Sequence, residues 1–209
     1  MRILVFGATG PTGTQVISQA LGRGHSVTAF VRDRAKLSVK DERLLVEIGD
    51  AAQDATQVAE AVGGQDTVIG ALGVGASFRS GHLIERCMQI IVPAMEQAGV
   101  RRLILLSAFG VGASSRDAPL IPRIFFRTLL REVFADKLAA EELVRQSRLE
   151  WTFVYPVMLT SGPLTEKYRA GERLELHGMS RISRADVAHF ILEEAQKGAF
   201  VGKAAVVSY

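Results

Sequence analysis

The sequence predicts an α/β fold, a doubly wound and mainly parallel sheet with helices on both faces, from three observations. Short apolar runs alternate with helix-period segments from end to end, as successive βα units require. The runs are nearly continuous in apolar residues, the pattern of strands covered on both faces. A glycine-rich stretch lies directly between the first run and the first helical pattern. With 209 residues, 48% hydrophobic and 22% charged, the chain is expected to form one domain over 1–209 with a sizeable core.

The elements follow in order. Ile3–Phe6 reads as a buried first strand rather than the apolar part of a signal peptide, because Gly7–Gly13 turns the chain at once. Val16, Ile17, Ala20 and Leu21 then share one helical face until Gly22 and Gly24 stop it. Strand-like runs recur at Val27–Val31, Leu44–Ile48, Thr67–Leu72, Leu103–Ser107, Trp151–Tyr155 and Ala204–Ser208. Ile84, Met88, Ile91 and Met95 mark a second amphipathic helix, with a kink expected at Pro93 and a stop at Gly99. Ser183 and Asp186 form an S-x-x-D capping pattern that opens a last helix ending at Gly198. Two stretches break the alternation, 110–122 and 158–182. Both follow strands, and ligands of open α/β sheets sit beyond the carboxyl ends of strands, so these are the expected substrate-facing loops.

Composition narrows the function. The charge of +3, from 25 Lys plus Arg against 22 Asp plus Glu, suits an anionic small ligand better than nucleic acid, which calls for a concentrated basic stripe. The apolar stretch from Leu103 to Ala113 is broken by Ser107, Gly110 and Gly112 and is far shorter than the roughly 18 residues of a membrane helix. Cys87 has no partner for a disulfide, which fits a reducing cytoplasm. His25, His82, His177 and His189 lack metal-ligand spacing, so no metal is expected.

Gly7-Ala8-Thr9-Gly10-Pro11-Thr12-Gly13 carries the strongest signal. Glycines serve where a strand turns sharply into a helix, where backbone meets a pyrophosphate and where helix packs on strand. The helix start offers free N–H groups to the phosphates, and Thr9 and Thr12 add hydroxyls. At the end of the second strand, Arg32 suits the extra phosphate of NADP, with Arg34 or Lys36 assisting. Asp33 is the rival, serving an NAD ribose. After the third strand, Asp50 either meets an adenine edge or caps a turn. Ala71-Leu72-Gly73 lets backbone pass close beneath the coenzyme.

These residues, with Gly64-Gln65-Asp66, Ser107-Ala108-Phe109 and Ser183–Ala188, resemble the atypical short-chain dehydrogenase/reductases. The branch they are most similar to is that of the biliverdin-IXβ reductases, which are NADPH-dependent flavin reductases, with the NmrA-like NADP-binding proteins nearby. The resemblance spans almost the whole chain. It implies a seven-stranded Rossmann-type domain that binds NADP(H). Thr9, Gly10, Pro11, Thr12 and Gly13, with Gly7, would hold the pyrophosphate, and Arg32 the 2′-phosphate. Asp50 and Ala51 would meet adenine, and Leu72, Gly73, Ser107 and Lys137 the nicotinamide half. The wider superfamily carries Tyr-x-x-x-Lys, in which the tyrosine protonates a reduced carbonyl. Here the lysine position is Lys137 and the tyrosine position is Val133. Histidines of the biliverdin-IXβ branch fall on Lys137 and Met158, which argues against biliverdin itself.

Ser107, Lys137 and Tyr155 are therefore the candidate catalytic residues, with Tyr168 a further candidate proton donor. Each also has a structural reading: Ser107 satisfying backbone, Lys137 pairing with Glu141 four residues on. A missing phenol favours acceptors such as flavins or quinones over simple ketones. Arg123, Arg127 and Arg131 recur every fourth residue and would either attract an FMN phosphate or form a solvated face. The expectation is a cytoplasmic NADPH-dependent reductase, monomeric or weakly dimeric, with a small-molecule acceptor, possible FMN, and neither nucleic acid nor membrane as partner. The alternatives are an NADP(H)-sensing binding protein without turnover, and a reductase or epimerase of a small carbonyl or sugar.

Overall fold

The computed structural model describes residues 1–73, 75, 80–112, 131–176 and 179–209. Seven strands lie parallel: β1 (Arg2–Phe6), β2 (Ser26–Val31), β3 (Leu44–Ile48), β4 (Thr67–Gly70), β5 (Arg102–Leu106), β6 (Glu150–Pro156) and β10 (Lys203–Ser208). The sheet order is β3-β2-β1-β4-β5-β6-β10-β8, where β8 (Arg169–Gly171) is antiparallel to β10. All seven predicted strands form. The sequence reading missed β8 and the small parallel pair of β7 (Met158–Thr160) with β9 (Arg181–Ser183), because three-residue strands carry no periodicity to read.

The helices are α1 (Pro11–Gly22), α2 (Ala55–Val62), α3 (Leu83–Ala98), α4 (Arg131–Gln146) and α5 (Arg184–Lys197). α1 packs on α5, while α2, α3 and α4 pack in series. Alternation along β6 separates the two layers. Thr152 donates to Glu194 of α5 at 3.0 Å, whereas Tyr155 bonds Glu141 of α4 and Phe153 lies under Arg145 of α4. Among the described residues no helix is long and apolar enough to cross a membrane.

One expectation needs correction. β3 is an edge strand and is not covered on both faces: Leu45 and Ile48 are 57% and 58% exposed. An apolar run alone cannot distinguish a central strand from an edge. Lys137 lies within α4. α3 continues through Pro93 and ends at the left-handed Gly99. Ser183 caps α5 as its spacing predicts, accepting from the Asp186 N–H at 2.9 Å. The Asp186 carboxylate turns elsewhere, accepting from Thr165 and Glu166 N–H at 2.8 Å and from the Tyr209 hydroxyl at 2.6 Å. It thereby anchors the predicted loop 158–182 and the last residue to one helix start.

Candidate functional site

Because β1 to β6 are parallel, their carboxyl ends share one edge of the sheet, and the order reverses between β1 and β4. A crevice opens at such a reversal. The residues following β1 to β5 are Gly7, Arg32, Gly49, Ala71 and Ser107, so Gly7, Arg32 and Ser107 of the predicted coenzyme residues lie on that edge.

The first loop is fitted too closely for side chains. Gly7 has φ +77°, and a Cβ there would lie 2.4 Å from the Ala71 carbonyl oxygen. A Cβ on Gly13 would lie 2.2 Å from the Gly7 carbonyl oxygen. Those contacts draw α1 down onto the end of β1 and β1 against β4. Gly10 is the N-cap of α1 without a side-chain cap, and Pro11 follows it, so the N–H groups of the first turn remain for a ligand. Thr9 is exposed beside them; Thr12 is buried. A Cβ on Gly73 would meet nothing within 4 Å, which leaves room over the end of β4 beside the half-buried Leu72. This arrangement fits the pyrophosphate and ribose of a dinucleotide.

At the end of β2, Arg32 and Asp33 are both exposed. The Asp33 carboxylate accepts from the Ala35 N–H at 2.9 Å and caps the single turn Arg34–Lys36. Asp50 takes the turn-capping role in this structure: its carboxylate accepts from the Ala52 N–H and the Gln53 amide, both at 3.0 Å. Ala51 is buried beside it.

The three candidate catalytic residues meet around a group the sequence reading left aside. Ser107 donates to Glu141 Oε1 at 2.6 Å and Tyr155 donates to Glu141 Oε2 at 2.6 Å. Lys137, one turn before Glu141, places its ammonium 3.4 Å from the Leu106 carbonyl oxygen. Glu141 is fully buried, and burial raises its pKa against the bonds from Ser107, Tyr155 and Arg145. Burial lowers the Lys137 ammonium to about 8, against the pull of Glu141 and Asp136. The Tyr155 phenol, 1% exposed, is pushed above its ordinary range by burial and by the Glu141 charge. Glu141 was legible in one respect: Val133, Ala140 and Val144 form the apolar stripe of α4, and a carboxylate within that stripe signals a buried polar contact.

Tyr168 lies elsewhere. Its hydroxyl is 2.8 Å from His189 Nδ1 and its ring meets Phe190 edge-on, both on α5. Burial, with the charges of Glu193 and Asp186, raises it to about 12. It is thus in the opposite layer from Ser107 and Glu141. Met158 is 49% exposed just past β6. Of the predicted loop 110–122, only Gly110 to Gly112 fall within the described residues; Arg123, Phe125, Phe126 and Arg127 lie outside them.

A family model described as NAD(P)H-binding matches residues 7–197. A chloroplastic, uncharacterised protein of Arabidopsis thaliana is 32% identical over 175 residues, which covers 78% of this chain and 61% of that one. An anaerobilin reductase structure from Escherichia coli O157:H7 superposes with a TM-score of 0.81 at 26% identity, over 99% of this chain and 96% of that one. A short-chain dehydrogenase/reductase from Veillonella parvula in complex with NADP gives a TM-score of 0.83 at 20% identity, over 100% and 94% of the chains, and so shares the fold.

Proposed function

The chain belongs to the NAD(P)H-binding family and is an NAD(P)H-dependent oxidoreductase, and from that premise we propose that it uses NADPH to reduce a flavin or a related conjugated acceptor. One observation carries the choice of acceptor. The position where the wider superfamily places its acidic phenol is the buried Val133, and Tyr155 does not replace it, because its buried hydroxyl is turned toward α4 and bound to Glu141. Hydride addition to a conjugated ring leaves a delocalised anion that a weakly acidic hydroxyl such as that of Ser107 can protonate once the hydride has moved, with no phenol needed at one oxygen. A simple ketone lacks that relief.

Bound NADPH supplies a hydride from its reduced nicotinamide. The first-turn amides of α1 and the Thr9 hydroxyl would hold the pyrophosphate. Arg32 would pair with the 2′-phosphate, while the neighbouring Asp33 accepts from the Ala35 N–H of its own turn. Lys137 would face the nicotinamide ribose, and Ser107 the reacting edge. The NADP complex of the Veillonella neighbour and the reductase activity named for the Escherichia neighbour support this reading. The same reading has a small-molecule acceptor as the partner, and a cytoplasmic setting in which the buried Cys87 thiol stays reduced.

Mixing the protein with NADPH and FMN, riboflavin or menadione tests the proposal. Loss of the reduced-nicotinamide absorbance, dependent on protein and acceptor, is the expected result. Tight NADPH binding with no oxidation by any of these acceptors would instead identify a sensor without turnover. Rapid turnover of simple ketones alone would return the protein to ordinary carbonyl chemistry.

A further inference from the structure

The buried Ser107–Glu141–Tyr155 cluster goes beyond coenzyme binding. Glu141 receives two hydroxyl groups at 2.6 Å, one on each carboxyl oxygen. Arg145 is the nearest cation, 3.5 Å from Oε2 and 36% exposed. Gly112 closes the cluster from the loop after β5: a Cβ there would lie 3.2 Å from both Glu141 Oε2 and the Tyr155 hydroxyl. A structural carboxylate fully out of water would ordinarily be matched by a close buried cation. This one is matched mainly by two neutral hydroxyls, an arrangement that serves a carboxyl group with or without its proton.

We infer that Glu141 is the proton reservoir for Ser107, and that its protonation state decides whether the Ser107 hydroxyl donates or accepts toward the acceptor. The inference rests on the reductase reading above. Tyr155 holds its own proton and stays a fixed donor to Oε2. The variable bond is therefore the one on Oε1. With Glu141 ionised, Ser107 donates to it and presents only lone pairs outward. With Glu141 protonated, the carboxyl donates to Ser107 Oγ, and the serine O–H is free to point at the acceptor.

The acceptor gains a hydride, with its two electrons, from the coenzyme and becomes an anion. The Ser107 O–H bond breaks as its proton moves to the acceptor heteroatom, and the Glu141 O–H bond breaks as its proton moves to Ser107 Oγ. Glu141 is left as the carboxylate, and a solvent proton returns through Ser107 after product leaves. Glu141 is thus a positioning residue that acts through Ser107. Among the described residues, the charged and titratable groups around it are Lys137 and Arg145 on α4 and Tyr155 on β6, with Asp136 beside Lys137. Among them Glu141 alone is in hydrogen-bond contact with both Ser107 and Tyr155.

Infrared titration of the coenzyme-free protein reads the carboxyl directly. Wild type should show a protonated-carboxyl band that persists to higher pH than the bands of exposed glutamates, and Glu141→Gln should lack it. Absence of that band in wild type overturns the inference. In steady-state reduction of menadione, Glu141→Gln should bind NADPH within about twofold of wild type. Its kcat should fall about 100-fold and lose the decline with rising pH that deprotonation of Glu141 imposes, and Glu141→Asp should regain part of both. A Glu141→Gln protein with wild-type kcat and pH profile overturns the inference. If that variant does not fold, Ser107→Ala decides: it should keep the carboxyl band while kcat loses the same pH limb, and an unchanged limb counts against the relay. Should no acceptor be turned over, the reductase reading fails, while the infrared band still settles whether Glu141 holds the proton.

Discussion

In the proposed reading Arg32 and Lys137 are the two cations that hold the coenzyme, one at each end. Arg32 stands exposed at the end of β2. Arg32→Ala should weaken NADPH by about 10- to 100-fold, the range of a charge-assisted hydrogen bond, and leave NADH nearly unchanged. Equal weakening of both coenzymes, read by titration calorimetry, would remove the phosphate role. Lys137 has its ammonium lowered to about 8 by burial. The charge is therefore present below that pH and lost above it, so NADPH affinity should decline as pH rises from 7 to 9. Lys137→Met should bind about tenfold more weakly at pH 7, equivalent to about 1.4 kcal/mol, and show no such decline. At this scale the first loop was readable because its constraint is local. Gly7 and Gly13 are forced by backbone approaching within a few residues or from the adjoining strand. Glu141 was not readable as a site residue, because its partners Ser107 and Tyr155 arrive from two different strands. Spacing along α4 exposes only its relation to Lys137.

At the scale of elements, α3 and α4 are coupled by an acidic residue that no local pattern singles out. α3 begins after His82, which is left-handed at φ 56° and offers no side-chain cap. Its first N–H groups are instead satisfied by Asp136 of α4, which accepts from Ile84 at 3.1 Å and Glu85 at 2.8 Å while wholly buried. Asp136 adjoins Lys137, so the same turn that supports α3 also holds the lysine in place. Asp136→Ala would leave two helix-start donors buried without an acceptor, and should cost about 2 kcal/mol. That corresponds to a fall of about 5 °C in Tm, measured by thermal unfolding, with coenzyme affinity reduced alongside. An unchanged Tm would show that α3 finds another cap. A cap borrowed from 52 residues away leaves no mark in a local pattern, whereas the cap of α5 did, because Ser183 and Asp186 stand three apart.

For the whole molecule, alternation of apolar runs was enough to predict seven strands and their parallel course, since most of these strands are followed by a helix that covers them; β2, followed by the single turn Arg34–Lys36, is an exception. It did not reveal which strand forms the edge or where the short β7, β8 and β9 pieces lie. Edge position depends on the order of strands in space, and three residues are too few to show a period. The crevice at the β1/β4 reversal was legible for a related reason: it is a consequence of topology, and the glycine loop marks where topology begins. The hydride acceptor is decided by side chains that converge from several elements.

An anaerobic single turnover tests the central claim most directly, with NADPH bound first and FMN or menadione then mixed in. The account predicts that the reduced-nicotinamide signal and the oxidised-acceptor signal disappear together at one rate, which slows when the transferable hydrogen of NADPH is replaced by deuterium. Coenzyme that stays bound and reduced beside every conjugated acceptor would contradict it.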